Sequence, residues 1–306
     1  MGGICFLGGD PASNPRLFAV LKRAGKPHRC GAVMVRALSY LMHFAPDRPS
    51  RFQPLRSVAR SSGKLLQGVM DLAAPPTCPI TGAQVTGPAT LSAEGWARLQ
   101  FIDDPACARC ATPFSVHRGD GAVCGACAAS PPAYDRARAG LVYDEASEAL
   151  VIRFKHSDRL DLAPLLARIA ARAGADLAAP GALLTPVPLH WRRLFKRRYN
   201  QSAVLARLTA RELNLGCSMR LVQRQRNTRP QQQLSADARN RNVAGAFRVP
   251  ERALSLVKDT HIIVVDDVLT TGATLSAVAR ALKRAGAARV DALVVARVAN
   301  STSVAI

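Results

Sequence analysis

Acidic residues are scarce in this chain of 306 residues: 21 Asp and Glu stand against 42 Lys and Arg, a formal net charge of +21 at pH 7. Such an excess favours a polyanionic partner, such as nucleic acid, a phosphorylated molecule or an anionic membrane surface, without choosing among them. Gly and Pro, at 21 and 20 residues, are too few for a collagen-like or low-complexity chain. With 48% hydrophobic and 21% charged residues, the composition is globular and excludes wholesale disorder.

Long hydrophobic runs are also missing. No stretch reaches the roughly 18 apolar residues of a membrane-spanning helix, and the longest candidate, 177–191, is interrupted by Pro180, Pro186 and Pro188. The first residues lack the basic segment of a secretory signal. We therefore expect a cytoplasmic protein without membrane insertion. In that reducing compartment, the eight cysteines are expected to be metal ligands or free thiols rather than disulfides.

The length predicts two domains, at roughly 150 residues each, and the composition changes along the chain. Residues 1–69 carry an excess of basic residues and little periodicity. This segment is interpreted as a poorly structured basic extension or as an over-extended gene start before Met70, and less readily as an arm for nucleic acid. Residues 70–132 are rich in Gly, Pro and Cys, which predicts a small module held by metal. A second domain is predicted over 133–299, with a tail at 300–306.

Short apolar runs alternate with amphipathic helical patterns in the second domain. Residues 182–187, 262–265 and 290–296 are predicted strands, and the uninterrupted β-branched run at 262–265 is typical of a strand covered on both faces. Helical patterns precede or follow these runs, with Asn200 or Ser202 at the start of one of them. Strands that alternate with helices indicate an α/β fold with a doubly wound, mainly parallel sheet.

Four cysteines form two C-x-x-C pairs separated by a short segment: Cys107, Cys110, Cys124 and Cys127. Two thiolates at this spacing lie on one side of a tight turn, and two such turns complete a tetrahedral Zn²⁺ site. All four positions are thiolates, so no coordination site is left open for catalysis. The pattern predicts one structural zinc ion.

A partial copy of the cysteine pattern lies upstream. Cys78 and Thr81 take the place of one pair, and Ser92 and Gly95 take the place of the other. One thiolate cannot hold zinc, so this half is predicted to be metal-free.

Residues 262–274 carry the strongest signal for a ligand. A buried strand is followed by Asp266 and Asp267, and then by a Thr-Thr-Gly-Ala-Thr segment where the next helix begins. Backbone N–H groups at a helix N-terminus, together with threonine hydroxyls, bind a phosphate monoester. The two carboxylates suit ribose hydroxyls or Mg²⁺. The segment is neither a P-loop nor a dinucleotide-binding G-x-G-x-x-G loop.

These thirteen residues resemble the 5-phosphoribosyl-1-pyrophosphate (PRPP) motif of type I phosphoribosyltransferases. Other segments resemble the ComF family of competence-associated proteins: residues 186–189, the basic run 192–198, Tyr199-Asn200-Gln201, 229–231, Arg239, Asn242 and 245–247. Members join a double zinc ribbon to a phosphoribosyltransferase domain. The resemblance therefore implies a type I phosphoribosyltransferase-like sheet preceded by a zinc-ribbon module over residues 78–298. The chain departs from the family at Thr81, Ser92 and Gly95, which occupy cysteine positions.

The resemblance also implies roles for individual residues. Asp266 and Asp267 would be the catalytic pair that holds the ribose hydroxyls, directly or through Mg²⁺. Residues implied to bind PRPP are Val265, Thr270, Thr271, Gly272, Ala273, Thr274, Leu189, Arg193, Arg197 and Arg198. The segment 223–242 would be a mobile lid. Lys155 is interpreted as a solvated helix charge rather than as a residue lining the acceptor side.

The implied function is Mg²⁺-dependent transfer of a phosphoribosyl group from PRPP to an unknown acceptor, in a protein associated with DNA uptake. The alternative is an accessory protein of competence that senses PRPP or handles single-stranded DNA without turnover. The zinc ribbon and the positive charge favour the alternative. The complete phosphate motif with both acids favours chemistry.

Overall fold

The computed structural model of the protein describes residues 75–87, 89–156, 159–189, 199–226 and 243–299. All of them belong to one compact unit of the chain, Leu66–Ile306. The predicted extension 1–69 and the predicted tail 300–306 lie outside the described residues.

A parallel sheet forms the centre of the described structure. Its five strands lie in the order β1-β7-β6-β2-β3, and every neighbouring pair is parallel. A separate antiparallel pair is formed by β4 and β5. The strands are β1 (Ala137–Val142), β2 (Leu183–Pro186), β3 (Gly216–Cys217), β4 (Gln223–Arg224), β5 (Phe247–Arg248), β6 (His261–Leu269) and β7 (Arg289–Arg297).

Helices cover both faces of this sheet, as the α/β prediction requires. One apolar core, with Leu166, Leu205 and Ile263, lies between the sheet and α4 and α5, and the other, with Val264 and Val278, lies beneath α7. None of the helices in the described ranges is long and apolar enough to cross a membrane. The helices are α1 (Ala93–Ala97), α2 (Gly125–Ala129), α3 (Glu145–His156), α4 (Ala163–Ala173), α5 (Gln201–Glu212), α6 (Leu254–Val257) and α7 (Ala273–Arg284).

The cysteine-rich region packs along the outer edge of β1. The N–H of Val142 donates to the carbonyl of Gln100 at 2.8 Å, and the N–H of Ala137 donates to the carbonyl of Arg109 at 2.8 Å. An edge strand left bare exposes unpaired N–H and C=O groups that attract other chains. The region therefore covers the sheet edge, and it belongs to the same compact unit as the sheet.

Close packing of α4 on β1 predicts that Gly140 tolerates no side chain. A Cβ there would lie 2.4 Å from Cγ2 of Ile169 and 3.0 Å from the Ile169 carbonyl oxygen. We expect Gly140→Ala to lower the free energy of unfolding by about 1–3 kcal/mol, the usual cost of overpacking, as measured by urea denaturation. Gly125→Ala is the control, because a Cβ at Gly125 would meet nothing within 4 Å. Equal stabilities of the two variants would contradict this packing.

Candidate functional site

The four cysteines predicted to bind zinc come together in the structure. The sulfur atoms of Cys107, Cys110, Cys124 and Cys127 all lie within 4.8 Å of one another, and all four residues are buried. A tetrahedral zinc ion with Zn–S bonds of about 2.3 Å requires sulfur atoms about 3.8 Å apart, and the Cys110 and Cys124 sulfurs are separated by 3.6 Å. The cluster therefore fits a structural zinc ion with four thiolate ligands.

The surroundings of the cluster favour a thiolate at Cys110. Hydrogen bonding from the Cys107 thiol, together with the Thr112 hydroxyl and the positive charge of Arg297, lowers the pKa of Cys110 to about 4. The backbone N–H of Cys124 donates to Cys107 Sγ at 3.2 Å. Thiolates are the form that binds metal, and the surroundings favour that form at Cys110, whereas the neighbouring Cys110 thiolate raises the pKa of Cys107 and burial raises that of Cys127.

The upstream half of the pattern keeps its shape without cysteine ligands. The hydroxyls of Thr81 and Ser92 are hydrogen-bonded at 3.0 Å, and the Ser92 hydroxyl accepts from the Gly95 N–H at 3.0 Å. Burial opposes ionisation of Cys78, but hydrogen bonds from Ser92 and Thr81 lower its pKa to about 6. A Cβ at Gly95 would lie 2.8 Å from Cys78 Sγ. Hydrogen bonds thus hold the turns of this half, at the positions where metal–sulfur bonds would hold those of the other half.

The threonine-rich segment forms the turn between β6 and α7. We call residues 270–274 the phosphate turn. Thr270 and Thr271 are exposed, whereas Gly272 and Ala273 are buried. Gly272 is the residue before the helix and has a φ of 76°, a left-handed conformation that favours glycine. A side chain there would also lie 3.1 Å from the Tyr134 hydroxyl. The turn presents a helix N-terminus, which attracts anions.

The two aspartates lie inside β6 rather than beyond its end. The strand was predicted over 262–265, but its pairing with β7 continues to Leu269. Ser202 Oγ donates to Asp266 at 2.8 Å. Burial, and repulsion by the Asp267 carboxylate, raise the pKa of Asp266 to about 7 despite this hydrogen bond. The site therefore favours the protonated form of Asp266 much more than water favours that of an ordinary aspartate.

Lys155 pairs with the second aspartate. Its Nζ lies 2.9 Å from Asp267 Oδ1, and the two side chains are only 22% and 14% exposed. The interpretation of Lys155 as a solvated helix charge is therefore wrong. The Tyr199 hydroxyl donates to the Phe154 carbonyl at 3.1 Å, and the Gln201 amide donates to the Lys155 carbonyl at 3.3 Å. These bonds hold the end of α3 against the start of α5.

Sequence reasoning also missed Ser202, which it considered only as a helix start. Asn200 precedes α5 as the N-cap residue, and the Ser202 hydroxyl is used for Asp266 instead. Ser202 directly follows the Tyr199-Asn200-Gln201 segment, and this position was the sequence signal that could have identified it as a site residue, since the residues of one motif often lie at one site.

The loop after β2 reaches the same end of the sheet. The Val187 N–H donates to the Val265 carbonyl at 2.9 Å, and the Asn200 amide donates to the Val187 carbonyl at 3.2 Å. Leu189 follows in this loop, half-buried. The Val265 side chain is fully buried in the core, so it supports the site from within the sheet.

Other predicted residues fall outside the described ranges. Of the predicted lid, Gln223–Arg224 forms β4 and pairs with β5, and 227–242 lie outside the description. The basic residues predicted to bind PRPP that also lie outside it are Arg193, Arg197 and Arg198.

A parallel α/β sheet with a phosphate turn, joined to a four-cysteine cluster, defines a phosphoribosyltransferase-type domain with a zinc ribbon. The family described as "Phosphoribosyl transferase domain" matches residues 200–304, and the family described as "Double zinc ribbon domain" matches residues 69–128.

Curated relatives match about two thirds of this chain. A DNA utilization protein YhgH of Shigella flexneri is 33% identical over 200 residues, 63% of this chain and 85% of the relative. Competence protein F of Haemophilus influenzae is 30% identical over 208 residues, 65% of this chain and 87% of the relative. The chain therefore belongs to the ComF family of competence-associated proteins.

A solved structure of a glutamine PRPP amidotransferase from B. subtilis, complexed with ADP and GMP, is also similar. It has a TM-score of 0.32 and 17% identity, and the match covers 46% of this chain and 30% of that one. This likeness is too distant to support an assignment.

The contrast between the two halves of the ribbon predicts one zinc ion per chain. We expect elemental analysis of wild type to give about one equivalent of zinc, since only one half supplies four thiolates. Cys110→Ser should lose most of it, whereas Cys78→Ser, which also alters a buried cysteine, should keep it. Two equivalents in wild type, or loss of zinc in Cys78→Ser, would contradict this assignment.

Proposed function

We propose that the protein binds PRPP with Mg²⁺ at the carboxyl end of β6 and transfers the phosphoribosyl group to an acceptor, in connection with DNA uptake. The observation that carries the proposal is the succession, along one strand and its turn, of two carboxylates and a helix N-terminus rich in hydroxyls. Ligands of open α/β sheets bind at the carboxyl ends of the strands.

Each part of the site has a task in this proposal. The phosphate turn receives the 5-phosphate through N–H groups and threonine hydroxyls. Asp266 and Asp267 accept hydrogen bonds from the ribose hydroxyls, and bound Mg²⁺ would neutralise charge on the departing pyrophosphate. The oxocarbenium-like transition state has a cationic sugar, which nearby carboxylates stabilise. The loop after β2, with Leu189, approaches the pyrophosphate.

In the ligand-free site, Lys155 is the ion-pair partner of Asp267, and a ligand that binds Asp267 must displace it. Its ammonium lies 2.9 Å from Asp267, where a ribose hydroxyl or Mg²⁺ would bind. A partly buried carboxylate without a partner is costly, and the lysine supplies that partner before the ligand arrives. Once displaced, the ammonium is free to contact the phosphorylated ligand. We propose that Lys155 exchanges one partner for the other.

A second candidate is a non-catalytic accessory protein that senses PRPP or handles single-stranded DNA. The names of the relatives, "DNA utilization protein" and "Competence protein", and the net charge of +21 favour it. Pyrophosphate release from PRPP with Mg²⁺, across candidate bases and amines, distinguishes the two. Release that depends on an acceptor supports transfer, and PRPP binding without release supports the accessory role.

The Asp267→Asn variant should weaken PRPP binding without weakening DNA binding, and so it distinguishes the two functions. Loss of a charge-assisted contact costs about 1.5–3 kcal/mol, so PRPP affinity measured by calorimetry should fall about 10- to 150-fold. Single-stranded DNA binding, measured by fluorescence anisotropy, should not weaken, because a carboxylate repels phosphate. Asp103→Asn is the control, since Asp103 is an exposed carboxylate paired with Arg172 at 2.8 Å. Wild type that ignores millimolar PRPP but binds DNA would overturn the transferase proposal.

The raised pKa of Asp266 predicts that PRPP binds more tightly as pH rises. With a pKa of about 7, about a tenth of the protein is ionised at this carboxyl at pH 6 and about nine-tenths at pH 8, so affinity should rise up to about tenfold. Ligand phosphates also titrate, near pH 6. The ratio of wild-type to Asp266→Asn affinity at each pH removes that contribution, and a constant ratio would refute the prediction.

The raised pKa of Asp266 has the opposite effect on the stability of the ligand-free protein, which should fall as pH rises. Folding raises the pKa of Asp266 above the ordinary value of about 3.9, so the protonated group favours the folded state. That advantage is lost as pH rises from about 4 through 7. The melting temperature of wild type relative to Asp266→Asn should therefore decline over this range.

A further inference from the structure

Arg297, the last residue of β7, contacts the start of the phosphate turn. In the parallel register it lies opposite Leu269. Its Nη1 donates to the carbonyl of Leu269 at 3.2 Å, to the carbonyl of Thr270, and to that of Val298 at 3.0 Å. One side chain thus holds the backbone at the point where β6 becomes the turn.

The other side of the same guanidinium contacts the zinc cluster. Nε donates to the Cys110 carbonyl at 3.1 Å, and Nη2 donates to the Thr112 hydroxyl at 3.2 Å. Nη2 also lies 3.8 Å from Cys110 Sγ. We call Cys107–Thr112 the first knuckle of the zinc cluster. All three nitrogens of Arg297 are engaged, and they join the first knuckle to the phosphate turn.

A second contact links the same two regions. Tyr134, which follows the cysteine region, is buried, and its hydroxyl lies against Gly272 of the phosphate turn. Next to it, the N–H of Ala133 donates to the Ser276 hydroxyl in the first turns of α7, at 3.4 Å. Residues that follow the zinc cluster in the chain therefore contact the phosphate turn and α7, in addition to the contact that Arg297 makes.

We propose that Arg297 is a positioning residue that couples the zinc cluster to the phosphate turn, so that bound zinc and bound phosphate stabilise each other. This inference rests on the proposed phosphate binding at residues 270–274. Zinc fixes the first knuckle, the first knuckle fixes the guanidinium, and the guanidinium orients the Leu269 and Thr270 carbonyls from which the turn begins. The role of the ribbon then extends beyond covering the edge of β1.

The planar guanidinium is the group that this arrangement requires. It presents five N–H donors in a rigid fork, whereas a lysine ammonium is a compact charge that cannot reach both regions at once. Arg297→Lys therefore keeps the positive charge near the phosphate turn but loses the connection. It distinguishes positioning from simple attraction of an anion.

The experiment measures both ligand affinity and zinc affinity, because coupling between two sites is reciprocal. The affinity for ribose 5-phosphate is measured by calorimetry on the zinc-loaded protein. The affinity for zinc is measured by competition with a chromogenic chelator, with and without ribose 5-phosphate. In wild type, the ligand should raise zinc affinity at least about fivefold, the low end of typical coupling.

Arg297→Met should weaken ribose 5-phosphate binding at least about fivefold and abolish the effect of the ligand on zinc affinity. Arg297→Lys should behave like Arg297→Met rather than like wild type. Arg172→Met is the matched control: Arg172 also joins the cysteine region to the domain, through Asp103 at 2.8 Å, and its contacts lie away from the phosphate turn. Its ligand affinity and its coupling should be those of wild type.

Thr112→Val is a second variant in case Arg297 variants fold poorly. It removes an acceptor of the guanidinium on the first knuckle and keeps the shape of the side chain and the four cysteines. It also removes the contact of the Thr112 hydroxyl with Cys110 Sγ at 3.1 Å, so the measured quantity is the effect of the ligand on zinc affinity rather than zinc affinity alone. We expect a smaller loss of coupling in the same direction. Full rescue by Arg297→Lys, or wild-type coupling in Arg297→Met, would overturn the proposal. Wild type that does not bind ribose 5-phosphate would instead contradict the proposed function.

Discussion

The parallel pairing of β6 with β7 is the interaction on which the site depends. The two strands are paired in parallel from His261, opposite Arg289, to Leu269, opposite Arg297. Because this pairing extends beyond the apolar run, Asp266 and Asp267 are held as strand residues with fixed positions. The same register brings Arg297 to the beginning of the phosphate turn. A strand that ended earlier would leave both the carboxylates and the turn on a loop.

Placing two carboxylates in a strand end creates an electrostatic cost that the rest of the site offsets. Burial desolvates Asp266 and the Asp267 carboxylate repels it, which is why the pKa of Asp266 rises to about 7. Ser202 from α5 and Lys155 from α3 each supply a hydrogen-bond donor. The Tyr199-Asn200-Gln201 segment matters because it fixes these two helices to each other. The site is thus assembled from strands and helices that meet at one edge of the sheet.

The predictable part of the structure is the part in which neighbours in sequence are neighbours in space. Each C-x-x-C pair, the β-branched run and the threonine-rich turn lies within a few residues, so the local sequence indicated the cysteine cluster, the strand and the turn before α7. The parallel sheet followed from the alternation of strands and helices. The end of β6 was missed because pairing with β7, rather than local hydrophobicity, determines it.

Contacts between distant segments were beyond the reach of sequence patterns. Ser202 and Asp266 are separated by 64 positions, and Cys110 and Arg297 by 187. Lys155 is a single basic residue in a chain with 42 of them, and no periodicity distinguishes it. Its role depends on a helix position that only the folded chain defines.

The two halves of the ribbon are held together by different interactions. The upstream half packs Cys78, Leu91 and Leu99 into the same core as Leu141 of β1, and hydrogen bonds among hydroxyls hold its turns. Apolar burial can perform that task without metal. The downstream half contacts Arg297, which also donates to the Leu269 and Thr270 carbonyls at the start of the phosphate turn. A rigid tetrahedral metal site at the four cysteines would keep Cys110 and Thr112, and with them Arg297, in a fixed position, as the proposed coupling requires.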